Sequence, residues 1–290
     1  MPQDHGRLAL VTGGAGFIGS HLVSELLDQG WRVRVLDDFS SGSHSNLRAV
    51  ADQIEVVCGD VRDEEAVTGS AAGVDVIFHQ AAIASVPRSI EAPLETNDVN
   101  LGGTLQVLEA ARIRRAKRVV FASSSAVYGD VGVPPLRESD AAEPISPYGF
   151  QKLAAEFYLR AYAKFHGVET VALRYFNVYG ERQNPRSEYA AVIPIFLSAA
   201  QAGEPLCVHG DGDQTRDFIH AKDVARANLL AADAPGASGG RFNVASGRGT
   251  RVSELVSLFA EAVGRELSVV SEAARPGDIR YCHADVEAAR

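Results

Sequence analysis

The chain has 290 residues, 46% hydrophobic and 22% charged, with a formal net charge of −9, long enough to bury a large core and carry two lobes. The acidic balance, without a sustained run of Lys or Arg, argues against a nucleic-acid surface, and no apolar run reaches the ~20 residues of a membrane span. Three scattered cysteines (Cys58, Cys207 and Cys282) lack metal-type spacing and fit a reducing compartment, so a cytoplasmic protein without metal is expected, the opening MPQDHGR showing no secretory pattern.

The first apolar run, 8–11, opens a regular alternation. Runs at 32–36, 54–58, 74–78, 118–122 and 170–174 follow, most of them rich in Val, Ile and Phe, as strands buried on both faces are. Amphipathic stretches at 20–29 and 102–113 lie between them. Strand, helix and strand repeated in this way predict an α/β protein with a doubly wound parallel sheet. After Tyr175 the rhythm breaks, and residues 178–215 mix Gly, Pro and Asn with short apolar segments. The predicted division is a nucleotide-binding domain over 1–177 and a smaller lobe over 178–290. Residues 216–233, which include a helical pattern at 221–232, return to the first domain. Another amphipathic helix is expected at 252–263.

The first strand runs into TGGAGFIGS, which spaces Gly13, Gly16 and Gly19 three apart. A glycine pattern alone is weak, but here it follows a predicted strand and opens a predicted helix. There it lets the backbone approach a pyrophosphate seated on free N–H groups. Asp37 ends the second strand, where a carboxylate accepts hydrogen bonds from an adenosine ribose and repels a 2′-phosphate, favouring NAD over NADP. Asp60 and Val61 follow the third strand, where an adenine edge could be read. Ala81 and Ala82 follow the fourth, where small side chains let a dinucleotide lie close.

Ser123, Ser124 and Ser125 sit at the C-terminal end of the 118–122 strand, where doubly wound folds keep their ligands. Tyr148 and Lys152 follow in SPYGFQK, one helical turn apart. Such a pair can do no more than cover a helix surface; alternatively, the cation stabilises a phenolate and makes it a usable base. Serine, tyrosine and lysine at these intervals behind this glycine turn resemble the extended short-chain dehydrogenase/reductase family over nearly the whole chain. Within it, the chain is most similar to the nucleotide-sugar 4-epimerases.

The resemblance implies a Rossmann domain with bound NAD and three catalytic residues. Tyr148 would take the proton from the sugar O4, Lys152 would favour the phenolate and hold the nicotinamide ribose, and Ser124 would aim the reacting hydroxyl. Phe17, Ile18, Asn100 and Tyr175 would join the cofactor contacts. Dehydratases of the family carry Asp-Glu directly after the catalytic serine or threonine; here Ser125 and Ala126 stand there, which counts against elimination. On the substrate side the resemblance implies Ser85, Ser125, Asn177, Val192, Cys207, His209, Arg216, Arg275, Asp278 and Cys282 as contacts to a UDP-sugar. Cys282 would gate the sugar pocket, its small side chain leaving room for an acetamide, or would simply be a packed cysteine. The expected substrates are UDP-glucose/UDP-galactose and their N-acetylated counterparts. A UDP-glucuronate 4-epimerase is the alternative, although Asn177 and Asn184 stand where relatives acting on that sugar tend to have Thr and Arg. A non-catalytic NAD sensor is a further alternative. A homodimer through a four-helix bundle, built from helices near 100–112 and 148–162, is also implied, with Leu105, Leu108, Leu153 and Phe157 serving either core or interface.

Overall fold

All five residues of β1 (Leu8–Thr12) are buried, as expected for a strand covered on both faces. The computed structural model describes residues 6–130, 133–184, 191–273 and 279–290. From β1 the chain passes through α1 (Phe17–Asp28), β2 (Arg32–Asp37), the short α2 (His44–Leu47), β3 (Ile54–Cys58), α3 (Glu64–Ser70) and β4 (Val76–His79). Two short helices, α4 (Val86–Glu91) and α5 (Pro93–Asn97), lead through a π-helical turn at Asp98–Gly102 into α6 (Gly103–Arg114). Then come β5 (Arg118–Ser124), the long α7 (Pro147–Phe165) and β6 (Glu169–Tyr175). Beyond β6 lie β7 (Asn177–Tyr179), α8 (Val192–Ala202), β8 (Leu206–His209), β9 (Thr215–Arg216) and β10 (Phe218–His220). The described chain continues with α9 (Ala221–Asp233), β11 (Gly240–Val244), β12 (Thr250–Arg251), α10 (Val252–Val263) and β13 (Val269–Glu272).

Seven strands form one sheet in the order β11-β6-β5-β4-β1-β2-β3, every pairing parallel. The chain winds outward from β1 to β3, then crosses back and winds the other way from β4, so β1 and β4 flank the point where the order reverses. Ligands of such sheets bind at the carboxyl ends of the strands there. One face of the sheet is covered through Leu22, Leu26, Val224 and Ala232 of α1 and α9, the other through Val67, Val107, Leu108 and Leu159 of α3, α6 and α7. Each fully buried leucine among these stabilises the fold by roughly 1.5–3 kcal/mol.

Two expectations are corrected. The strand expected at 74–78 begins at Val76; Val74 and Asp75 follow the turn out of α3, and Asp75 turns its side chain to β1, its Oδ2 accepting from Leu8 N at 2.7 Å. Residues 240–244, expected in the smaller lobe, form β11 at the edge of the main sheet, paired with β6 from Gly240↔Val171 to Val244↔Tyr175. Their sequence GRFNV carries a glycine, an arginine and an asparagine, so it lacks the apolar run that marks most of the other strands. The remaining short strands pair outside the main sheet: β7 with β10 and β8 with β13 in parallel, β9 with β12 antiparallel. Phe196, Val208 and Leu255 join α8, β8 and α10 in a separate apolar cluster. Among the described residues no helix is long and apolar enough to cross a membrane.

Candidate active site

The turn after β1 is built by backbone crowding. Gly13 has φ +68°, and a Cβ on it would stand 2.7 Å from Ala81 N, so the chain leaving β1 touches the chain leaving β4. A Cβ on Gly19 would lie 2.1 Å from Gly13 O, which means α1 packs directly on that turn. Gly16 is the N-cap of α1 and brings no side chain to it, while the first N–H groups of a helix have no acceptor inside it. The result is a concave, electropositive cradle of the kind that takes a phosphate.

Asp37, at the end of β2, is buried, its Oδ2 accepting from Ala15 N and its Oδ1 from Phe39 N, both at 2.8 Å. Burial raises its pKa, and those two N–H bonds work against the rise. Its carboxylate thus sits beside the glycine turn, tied to the same backbone. These features fit a dinucleotide. The glycine turn leaves no space for side chains, the helix end is uncapped, and a carboxylate stands one strand away. Phe17 and Ile18 open α1 at this cradle. Asp60, in contrast, is taken up by Arg62 (Oδ2 to Nη2, 2.5 Å), which holds its carboxyl below the usual range. Val61 is buried against the start of α6, where a Cβ on Gly103 would meet it at 2.7 Å.

Ser124 ends β5, and its Oγ accepts from Ala126 N at 3.1 Å. Helix α7 opens with Ser146 as N-cap, its hydroxyl accepting from Gly149 N, and with Pro147 in the first turn, a strong start signal. A Cβ on Gly149 would sit 2.6 Å from Ala126 O, so the first turn of α7 lies directly on the backbone that follows Ser124. Ser89 fixes the other side, its Oγ accepting from Tyr148 N at 3.1 Å. Tyr148 is thereby brought near Ser124, close enough for the serine hydroxyl to favour its ionised form. One turn on, buried Lys152 donates from Nζ to Ala122 O at 2.8 Å, and its Nζ lies 5.8 Å from the centre of the Tyr148 ring. The three residues spaced by the sequence meet at the carboxyl end of β5.

Burial drives the two titrating groups toward their neutral forms. The Tyr148 phenol is pushed up to about 12 by desolvation, with Ser124 pulling the other way. The Lys152 ammonium is pushed down to about 7 by desolvation. A unit positive charge about 6 Å from a phenolate is worth about 3 kcal/mol at an effective dielectric of ~20, so protonated Lys152 would return much of what burial takes from Tyr148.

The other expected residues are placed in different ways. Asn100 and Tyr175 are buried and hydrogen-bonded within the protein. The Asn100 side chain accepts from Ile83 N and donates to Ile83 O and Gln151 Oε1, while the Tyr175 hydroxyl bonds Gln80 and Asn228. Cys282 is buried among Val127, Tyr128, Leu136 and Phe176, next to the backbone that follows Ser124 and Ser125. Burial pushes its thiol up to about 11, with Arg216 nearby acting in the opposite sense. Ser85 caps α4, accepting from Arg88 N; Ser125, Asn177, Val192 and Arg216 are half-buried at the edges of their elements. Cys207 and His209 on β8 stand beside Glu272 of β13. The cysteine sulfur faces His209 Nε2 at 4.0 Å and the carboxylate faces Nδ1 at 3.5 Å, an arrangement that uses opposite sides of the ring. Arg275 and Asp278 lie outside the described residues.

A buried histidine, His79, lies beside this site without a motif to mark it. His79 ends β4 with Nδ1 2.7 Å from Thr12 Oγ1 and Nε2 3.0 Å from Thr104 Oγ1. Burial, reinforced by the nearby charge of Lys152, lowers it to about 3. In the sequence it is a polar residue closing the apolar run VIFH, and a histidine in that place does not announce its partners.

A model of the NAD dependent epimerase/dehydratase family matches residues 9–245. The UDP-glucose 4-epimerase of Mycolicibacterium smegmatis is 41% identical over 286 residues, spanning 97% of this chain and 90% of that protein. A UDP-N-acetylglucosamine 4-epimerase from Methanobrevibacter ruminantium M1, solved with UDP-N-acetylmuramic acid, superposes with a TM-score of 0.94 at 40% identity, over 98% of this chain and 90% of that one. The Thermus thermophilus UDP-glucose 4-epimerase, solved with NAD, superposes with a TM-score of 0.88 at 38% identity, over 97% of this chain and 91% of that one.

Proposed function

The chain belongs to the NAD-dependent epimerase/dehydratase family, and from that premise we propose that it inverts C4 of UDP-hexoses. It would interconvert UDP-gluco and UDP-galacto sugars, the N-acetylated ones included, through a transient 4-keto sugar. The observation that carries this reading is the meeting of Ser124, Tyr148 and Lys152 at the end of β5, beside the glycine turn. NAD, when bound, supplies a reversible acceptor for the hydrogen at C4.

In this reading the chain handles the proton. Tyr148 takes it from the sugar O4 as C4 is oxidised and gives it back when C4 is reduced from the other face. Ser124 holds O4 in line, and Lys152 favours the phenolate by its charge. Ser125 and Ala126, which follow Ser124, carry no carboxylate, so the acid–base pair that removal of water requires is missing there. The diphosphate would be held by Arg216 and Arg275, since a guanidinium fork pairs well with phosphate oxygens, with Asn177 alongside and Asp278 on the uridine ribose. Cys207 and His209 would flank the uracil. Buried Cys282 would leave room beside C2 for an acetamide. The half-exposed aromatics of α7 support a homodimer.

The test is product analysis by proton NMR after incubation with UDP-glucose, UDP-GlcNAc or UDP-glucuronate, with and without added NAD. Conversion of the first two to their C4 epimers is expected. Turnover of UDP-glucuronate alone would overturn the substrate assignment, and no conversion by folded, NAD-bound protein would overturn the epimerase reading.

A further inference from the structure

One carboxylate grips both strands behind the Tyr148–Lys152 helix. Glu156 follows Lys152 by four residues on α7, hence on the same helical face, and is 3% exposed. Its Oε1 accepts from Ser123 Oγ at 2.6 Å and from Arg174 Nε at 2.9 Å, and its Oε2 accepts from Arg174 Nη2 at 2.7 Å. Ser123 and Arg174 are direct register partners on β5 and β6. The Arg174 guanidinium also lies over the Tyr128 ring at 4.7 Å. Tyr128 in turn donates to Asn243 Oδ1 on β11 at 2.6 Å. Asn243 Nδ2 then holds Leu136 O and Asp285 O, the latter in the segment that carries Cys282.

A buried ion pair is a poor device for stability alone, because apolar packing of the same volume avoids the desolvation cost. What three donors on one carboxylate provide is fixed geometry. From this we infer that Glu156 is a positioning residue, holding the end of β5 against α7 and so setting Ser124 relative to Tyr148 and Lys152. Ser123 is bonded to the helix and Ser124 is the next residue along the strand, so a shift of β5 at Ser123 displaces the Ser124 hydroxyl. The consequence for turnover rests on the epimerase reading; the consequence for Lys152 does not.

The experiment uses the double variant Glu156→Gln/Arg174→Met, which removes both charges together and leaves neither orphaned. Two readouts are taken. With UDP-glucose, kcat should fall about ten- to a hundredfold, the cost of a misplacement on the order of 1 Å, with KM within about twofold. Independently, pH titration of ¹³Cε-labelled lysine by NMR follows four residues (Lys117, Lys152, Lys164 and Lys222). The lysine that titrates near 7 in the parent should move upward as the packing around Lys152 loosens. A folded double variant with unchanged kcat and unchanged titration would overturn the inference. If neither protein turns over any UDP-sugar, the titration alone decides. If the double variant does not fold, Ser123→Ala, which leaves the ion pair in place, takes over: a smaller fall in kcat or an upward Lys152 shift supports the role, and no change in either overturns it.

Discussion

Burial acts on Tyr148 and Lys152 in opposite directions, raising the phenol and lowering the ammonium, so each is held near the neutral form the other can change. Tyr148→Phe removes the group placed to move a proton and little else. We expect kcat to fall by about 10²–10⁴, the range of a lost general acid–base, with the urea midpoint nearly unchanged; retained turnover would show that another group moves the proton. The depressed Lys152 also makes stability depend on pH. Its unfolded value of 10.5 exceeds the folded value of about 7, so between these limits the unfolded chain binds more protons and stability rises with pH. That contribution is complete above about 10.5 and lost as pH falls through about 7. Urea unfolding of Lys152→Met between pH 7 and 10 should give a flatter pH profile than the parent chain. Equal slopes would mean that Lys152 keeps an ordinary value in the folded protein.

At the scale of elements, the glycine turn and the first turn of α7 are both set by close backbone approach. The contact from Gly19 to Gly13 O is to backbone, which cannot swing aside, so Gly19→Ala must push α1 off the turn. The expected cost is about 1–3 kcal/mol, typical of overpacking, together with weaker NAD binding. Urea unfolding and calorimetric titration with NAD read the two effects; an unchanged midpoint with unchanged affinity would show that the turn relaxes freely. Most strands before residue 175 were legible because runs rich in Val, Ile and Phe mark doubly covered strands. β11 was not, since an edge strand starting at Gly240 and carrying Arg241 and Asn243 has no such run.

Across the whole molecule, the two long helices on the Tyr148 side divide their apolar residues between core and surface. Leu108 is fully buried, whereas Phe150, Phe157 and Phe165 on α7 are 59%, 58% and 71% exposed. Their spacing of seven and eight residues sets them along one helical stripe, and exposed aromatics aligned in this way mark contact surfaces. We expect the chain to sediment as a dimer and Phe157→Arg to shift it toward monomer at micromolar concentration. A parent chain that sediments as a monomer would remove the dimer proposal.

The sequence by itself determined the alternation of strands and helices, the glycine turn and the spacing of Ser124, Tyr148 and Lys152. Each of these is local, written in periodicity, in the absence of a Cβ or in one helical turn. Only the tertiary structure decided what the polar groups touch. It set His79 between Thr12 and Thr104, gave Asp60 to Arg62, closed Asn100 onto Ile83 and Gln151, and joined Glu156 to Ser123 and Arg174. Apart from Asp60, held within two residues, these partners lie from 17 to 67 positions away along the chain. Hydrophobic period places a residue inside or outside, but it carries no record of which strand or helix will arrive opposite.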